Sequence, residues 1–183
     1  MNQKLLFVLS IIIVTFGYVA YESYMLEKKF TSFNTGGNNT ILKTIPKIKF
    51  QKFESKEYVD LEQLAVSGNN TIVHFWATWC APCEKEFPEL VELTRIMKHK
   101  KDVKFLFIAV NDKVIEVKKF LKPFEKFTNF EILIDDSNTH QNSFGTFRLP
   151  ETFLFGKDQK LIKKYIGQQA WTQKHFVDLL NGL

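Results

Sequence analysis

Two cysteines three positions apart, Cys80 and Cys83, are the only thiols in the chain. They follow an apolar run, residues 71–77, and stand at the start of a stretch with helical periodicity. Two thiols separated by two residues can close a small disulfide ring, and a strand that leads into Cys-x-x-Cys at a helix start is the setting of a redox pair. The sequence therefore indicates thiol–disulfide exchange.

The expected helix gives the two sulfurs different roles. The nucleophile is the thiolate, and a free cysteine with a pKa of ~8.5 is mostly protonated at neutral pH. Cys80 falls at the helix N-terminus, where unpaired backbone N–H groups and the helix dipole stabilise an anion, so we expect its pKa to be lowered. Cys83 lies one turn further along, and Pro82 suits the first turn. Cys80 is therefore predicted as the exposed nucleophile and Cys83 as the resolving thiol.

Two other uses of a cysteine pair fit this chain less well. A zinc site usually takes four ligands, and the chain has no second cysteine pair and no ligand spacing among its histidines (His74, His99, His140 and His175). A structural disulfide across so short a loop would stabilise the fold little, because the entropic gain grows with loop length. We therefore expect no metal and no cofactor apart from the redox-active Cys80–Cys83 disulfide itself.

The elements around the pair follow from the apolar pattern. Residues 71–77 and 103–110 are nearly all apolar, which favours buried, central strands. The helix from Cys80 is predicted to carry Phe87, Leu90, Val91, Thr94 and Met97 on one face. The other predicted elements are an edge strand at Ile48 and Phe50, a helical turn capped by Asp60, a helix from Val114 bent or broken at Pro123, a strand at 132–134, a hairpin of 152–155 and 161–166, and a helix over 171–183. This order predicts an α/β fold with a mixed central sheet flanked by helices.

The N-terminal part is predicted to hold a membrane anchor, residues 1–26, and a flexible tether, residues 27–44. Residues 5–21 are largely apolar, and a helix of that length covers roughly 25 Å of a ~30 Å hydrocarbon core, a gap that a few more residues would close. A cleaved signal peptide is the alternative, but the small-x-small cleavage pattern is poor, which favours an uncleaved signal anchor. The folded domain is then residues 45–183.

Charge and topology bear on location. The formal net charge is +5, and the lysines that carry it are dispersed along the chain, so nucleic-acid binding is not expected. The short tail before the anchor is the easier end to retain in the cytoplasm. This predicts a single-pass protein of the cytoplasmic membrane with its catalytic domain on the extracytoplasmic, periplasmic side. Thiols there tend to be oxidised, so a reductant in that place needs a supply of electrons.

Two separate segments carry a family resemblance. Residues 74–83 (His-Phe-Trp-Ala-Thr-Trp-Cys-Ala-Pro-Cys) with the Glu-Lys-Glu-Phe-Pro-Glu-Leu that follows, and residues 148–153 (Arg-Leu-Pro-Glu-Thr-Phe), resemble thioredoxin-fold proteins of the TlpA/ResA/CcmG type. The resemblance covers about residues 45–183. It implies a thioredoxin-like fold and a membrane-tethered thiol–disulfide oxidoreductase, commonly a reductant for apocytochrome c maturation or related extracytoplasmic protein disulfides. A membrane electron donor of the thiol-reductase type would then re-reduce it.

The resemblance also assigns roles to single residues. Pro150 matches the family's cis-proline beside the dithiol, where it would turn the Leu149 backbone toward an extended substrate peptide. Trp79 follows the motif and would border the dithiol. Glu86 matches an active-site acid of ResA-like members and could receive or return the proton of the resolving thiol, whereas a solvated helix carboxylate is the alternative.

His74 departs from the family pattern. Thioredoxins have a buried Asp at this position, and TlpA-like proteins often have Asn. A buried, neutral histidine could relay protons, or it could be a hydrogen-bonded packing residue. The sequence leaves both roles open.

The redox motif also leaves alternatives to a reductant. The protein could be a net disulfide oxidase or isomerase, because the direction of exchange depends on the reduction potential and the partner. A non-enzymatic, anchored binding or chaperone module would use the groove at Pro150 and leave the disulfide incidental. A copper-carrying relative of this fold would space its cysteines by three residues, which this chain does not.

Overall fold

The computed structural model describes residues 14–22, 25, 42–126, 129–137 and 140–183. The chain separates into two units, residues 1–40 and 41–183, and each is described by itself. In the first unit, residues 14–22 and 25 are helical. Most of the predicted anchor and tether lies outside the described residues. Within the described ranges, no helix combines the length and the apolar character that crossing a membrane requires.

Seven strands of the described chain form one mixed sheet in the order β2-β1-β5-β4-β3-β6-β7. Their bounds are β1 Lys49–Lys52, β2 Tyr58–Asp60, β3 Asn70–Trp76, β4 Val103–Val110, β5 Glu131–Asp135, β6 Glu151–Phe155 and β7 Leu161–Ile166. β3 and β5 run parallel to β4, and the remaining pairs are antiparallel. The prediction that 71–77 and 103–110 form central strands is confirmed, because β3 and β4 are buried almost throughout.

Helices cover both faces of this sheet. Their bounds are α1 Leu61–Leu64, α2 Ala81–Ile96, α3 Val114–Leu121, α4 His140–Ser143 and α5 Lys174–Gly182, with 3₁₀ turns at Met97–His99 and Lys122–Phe124. All five residues of the predicted apolar face are buried; four lie in α2, and Met97 lies in the 3₁₀ turn that follows it. As predicted, the α helix from Val114 ends just before Pro123, whose ring cannot continue it.

Two apolar cores lie on opposite sides of the sheet, because alternate residues of a strand point to opposite faces. On β3, Ile72 and Trp76 join the core under α2, α3 and α5, whereas Val73 and Phe75 join the core on the other side. His74 shares the face of Ile72 and Trp76. It therefore points toward α2.

Four details of the fold differ from the sequence prediction. β1 is not an edge strand: it lies between β2 and β5, and β2, a strand of three residues, forms the edge. Asp60 precedes α1, but its side chain makes no capping hydrogen bond there. The last helix begins at Lys174 rather than at Trp171, and the short helix α4 was not predicted. Segments of three or four residues carry too little periodicity to be recognised.

Candidate active site

The cysteine pair lies where β3 gives way to α2. Cys80 is the N-cap residue of α2 with extended backbone, and its Sγ accepts the backbone N–H of Cys83 at 3.3 Å. Pro82 occupies the first turn. The two sulfurs are bonded as a disulfide, with Cα atoms 5.2 Å apart. The predicted strand, turn and helix around the pair are thus confirmed, and Cys80 stands in the field of the helix N-terminus.

Access to the two sulfurs is unequal. Cys80 is 6% exposed and Cys83 is fully buried. This order agrees with the predicted roles, but Cys80 is far less exposed than a freely accessible nucleophile would be. The neighbouring Trp79 is 61% exposed, so a wide aromatic surface adjoins a cysteine that is itself almost buried. A partner therefore has to dock closely before its sulfur can reach Cys80.

The turn before Cys80 is tied to the loop after β4. The backbone N–H and the hydroxyl of Thr78 donate to the Asp112 carboxylate at 2.6 and 2.9 Å. The indole N–H of Trp79 donates to the carbonyl of Asn111 at 2.9 Å. Asp112 was not singled out from the sequence. Its position could have been recognised from the sequence. Asp112 follows β4 as the cysteine turn follows β3, and the carboxyl ends of two neighbouring parallel strands meet at one edge of the sheet.

The Leu149–Pro150 peptide bond is cis, as predicted from the resemblance. Pro150 directly precedes β6, whose first residue Glu151 pairs with Phe75, so Pro150 lies near the end of β3 that leads to the cysteines. Pro150 is buried and Leu149 is half-buried. Substrate contact by Leu149 and Trp79 stays a prediction.

Glu86 is a buried acid, not a solvated helix carboxylate. It is 1% exposed, and its Oε2 accepts the backbone N–H of Gln169 at 2.8 Å and the indole N–H of Trp171 at 3.0 Å. Burial raises the pKa of Glu86 to about 7, although both hydrogen bonds act in the opposite direction, and the nearby charge of Glu89 raises it further. Glu86 lies one helical turn after Cys83, so the two side chains are neighbours on α2.

His74 lies on the same side of the sheet as Glu86. The ring is fully buried, with Nδ1 2.8 Å from the Thr152 hydroxyl and Nε2 3.6 Å from Oε1 of Glu86. Burial lowers the pKa of His74 far below its usual value, which keeps the ring neutral. Neither the contact with Glu86 nor the donor Trp171 was expected from the sequence.

This arrangement can carry out thiol–disulfide exchange. Cys80, the more exposed cysteine, caps a helix N-terminus and is bonded to the buried Cys83. Glu86, whose pKa burial raises to about 7, lies one helical turn after Cys83. In the part of the chain that the structure describes, there is no group of three or more His, Cys, Asp or Glu side chains that could hold a metal ion.

Comparison with known proteins agrees with this chemistry. The Redoxin family model matches residues 42–180. The chain is 30% identical to the thiol-disulfide oxidoreductase ResA of a Bacillus cereus strain, over 94% of this chain and 93% of that protein. It is 31% identical to ResA of Geobacillus thermodenitrificans (strain NG80-2), over 87% and 83%. The solved structure of a thiol-disulfide oxidoreductase from Bacteroides fragilis NCTC 9343 superposes with a TM-score of 0.63 at 18% identity, over 75% of this chain and 99% of that one, and so supports the fold.

Proposed function

The chain belongs to the Redoxin family and is a thiol–disulfide oxidoreductase, and from this premise we propose that it reduces protein disulfides on the extracytoplasmic side of the cytoplasmic membrane, to which its N-terminal helix anchors it. The observation that carries the proposal is the pair of sulfurs at the start of α2, of which Cys80 alone reaches the surface. Apocytochrome c is one candidate substrate.

The reaction takes place in two exchanges. The Cys80 thiolate attacks one sulfur of the substrate disulfide, which forms a mixed disulfide and releases the other substrate sulfur as a thiolate that takes up a proton. Cys83 then loses its proton and attacks Sγ of Cys80. The Cys80–Cys83 bond forms, the second substrate sulfur leaves and is protonated, and the substrate has gained two electrons and two protons.

Glu86 handles the proton of Cys83 in the second exchange. The thiol of Cys83 is buried, so water does not readily remove its proton, whereas the Glu86 carboxyl lies one turn away. A base works best when its pKa lies near the working pH, and that of Glu86 is about 7. We assign Glu86 as the acceptor when Cys83 attacks and as the donor when the disulfide is reduced again by a membrane dithiol donor.

The anchor and the reductant role are supported by the sequence. Residues 5–21 are largely apolar, and the motifs at 74–83 and 148–153 are similar to those of membrane-tethered reductants. A maleimide that cannot cross membranes should label the reduced Cys80 of intact cells, and labelling only after lysis would refute the extracytoplasmic position. A reduction potential at the strongly oxidising end, near that of a disulfide-forming enzyme, would make the protein an oxidase instead.

Trapping tests the proposed chemistry directly. The full-length Cys83→Ser variant, expressed in the native host, should accumulate mixed disulfides with substrate proteins through Cys80, because the second exchange cannot occur. These adducts should disappear on reduction before electrophoresis. Cys80→Ser and the double variant are the matched controls and should form none. A binding or chaperone module would give no adduct from any variant, and equal adducts from Cys80→Ser would reverse the assigned roles.

A further inference from the structure

Two buried polar atoms beside the disulfide face each other without a hydrogen-bond partner. Among the described residues, neither Nε2 of His74 nor Oε1 of Glu86 has one, and the two atoms are 3.6 Å apart. Both side chains are almost completely removed from solvent. Unpaired polar atoms in a dry core are costly, and an approach of roughly 0.6 Å would bring these two within hydrogen-bond range.

The remaining atoms of both side chains are already engaged. Oε2 of Glu86 accepts two fixed N–H groups, from Gln169 and Trp171, and neither of these can act as an acceptor. Oε2 is therefore the oxygen without a proton, and a proton bound by the carboxyl lies on Oε1. Nδ1 of His74 contacts the Thr152 hydroxyl, which accepts or donates as required. Nε2 is left to receive the proton that Oε1 offers.

We propose that His74 and Glu86 share one buried proton between Nε2 and Oε1, and that His74 is a positioning residue that keeps this proton on the pair while the disulfide is intact. The inference rests on the proposed function, in which Glu86 exchanges a proton with Cys83. With the shared proton the pair has no net charge, which is the state that a dry core favours.

The proton follows the sulfur chemistry but takes no part in the electron transfer. When a dithiol reduces the disulfide, the Cys80–Cys83 bond breaks, and the Cys83 sulfur leaves as a thiolate that takes the proton from the pair. When Cys83 later attacks a mixed disulfide, its proton returns to Oε1. The two electrons pass between sulfur atoms, so His74 and Glu86 are neither oxidised nor reduced.

The surroundings favour a retained proton. Glu89 on α2 contributes a like charge, and this raises the proton affinity of Glu86. Tyr165 of β7 packs on Trp171, and burial raises its pKa, so the phenol stays neutral. Of the described residues, those recorded as interacting with the pair are Glu89, Thr152, Gln169 and Trp171; Cys83 lies one turn away on α2, and Tyr165 packs on Trp171. None of them is a cation that would hold Glu86 ionised.

The test is a pair of NMR titrations on the oxidised full-length protein. With ¹³C-labelled glutamate carboxyls and Glu86→Gln to assign the signal, the Glu86 midpoint should fall by at least one pH unit in His74→Asn, a tenfold loss of proton affinity. The reason is that His74→Asn removes the Nε2 acceptor, so a proton on Oε1 loses the partner that stabilises it. His99→Asn, the same exchange at an exposed histidine, is the control and should change nothing.

The second titration needs no variant and so does not depend on how His74→Asn folds. In the ¹⁵N-labelled wild type, the Nε2 signal of His74 should shift with the same midpoint as the Glu86 carboxyl. In His74→Asn, the pH dependence of the rate at which dithiothreitol reduces the disulfide should shift to lower pH together with the Glu86 midpoint. Separate midpoints, or an unchanged one in His74→Asn, would overturn the shared proton. If the two titrations give one shared midpoint but Cys83→Ser traps no substrate, the proposed function is refuted and the shared proton of His74 and Glu86 is still supported.

Discussion

Replacement of Glu86 by Gln should make the stability of the oxidised protein depend on pH in a way that the wild type does not. Burial raises the pKa of Glu86 from 4.5 to about 7, so its contribution to stability is present at low pH and is lost as the pH rises through this window. Burial lowers the pKa of His74 from 6.5 to about 3, so its contribution is present at high pH and is lost as the pH falls. Between pH 4.5 and 6.5 the two effects oppose each other.

The magnitude follows from the proton count. In this window the unfolded chain holds one proton on His74 and the folded chain holds one on Glu86, so in the wild type the pair takes up no net proton on unfolding. Each pKa unit is worth about 1.4 kcal/mol. Without Glu86, the histidine alone should raise the free energy of unfolding by about 2 kcal/mol between pH 4.5 and 6.5, relative to the wild type. His74→Asn should show a slope of the opposite sign and of smaller size, about 1–2 kcal/mol over the same pH range, because the pKa of Glu86 is expected to be lower in that variant.

Urea denaturation of the oxidised full-length proteins at pH 4.5, 5.5 and 6.5 measures these slopes. Glu84→Gln, which exchanges an exposed carboxylate on the first turn of α2, is the matched control and should run parallel to the wild type. Parallel curves for the wild type, Glu86→Gln and His74→Asn would refute the reasoning, because buried groups with shifted pKa values cannot leave the linkage unchanged.

Three further changes test other contacts of the site. Asp112→Ala removes both acceptors of Thr78. It should lower the free energy of unfolding, measured by urea denaturation, by about 1–3 kcal/mol and should make the turn more sensitive to proteolysis. An unchanged stability would mean that water replaces the contact. Trp171→Phe removes one N–H donor to Glu86 and should raise its pKa above about 7, followed by ¹³C NMR; a fall would contradict the assigned hydrogen bond. Phe87→Ala should cost about 3–5 kcal/mol in both redox states, and a cost confined to one state would show that this ring responds to the disulfide.

The parts of the site that the sequence predicted are those with local signals. Residues 71–83 contain a continuous apolar strand, two cysteines with helical spacing and a proline suited to the first turn of a helix. The turn and the N-cap position of Cys80 could therefore be derived without the rest of the chain. The central strands followed from the same continuous apolar pattern. Short elements such as β2 have no comparable pattern, because their place in the sheet is set by tertiary pairing.

The environment of Glu86 could not be predicted in the same way. Its donors Gln169 and Trp171 are more than eighty positions away, and Trp171 was assigned to a helix that begins only after it. His74 could be recognised as unusual from its place in the motif, but its facing Glu86 depends on how α2 packs on β3. Long-range contacts of this kind carry no periodic signal in a single sequence.

The segment after β7 that binds Glu86 has a consequence for how the molecule is made. A ribosome releases the chain from its N-terminus, so the cysteines and Glu86 emerge long before Gln169 and Trp171. α5 emerges after them, and its Phe176 and Leu180 pack in the same core as Trp171. A nascent chain therefore carries both thiols while Glu86 still faces water, and the acid is enclosed only after the segment beyond β7 has emerged.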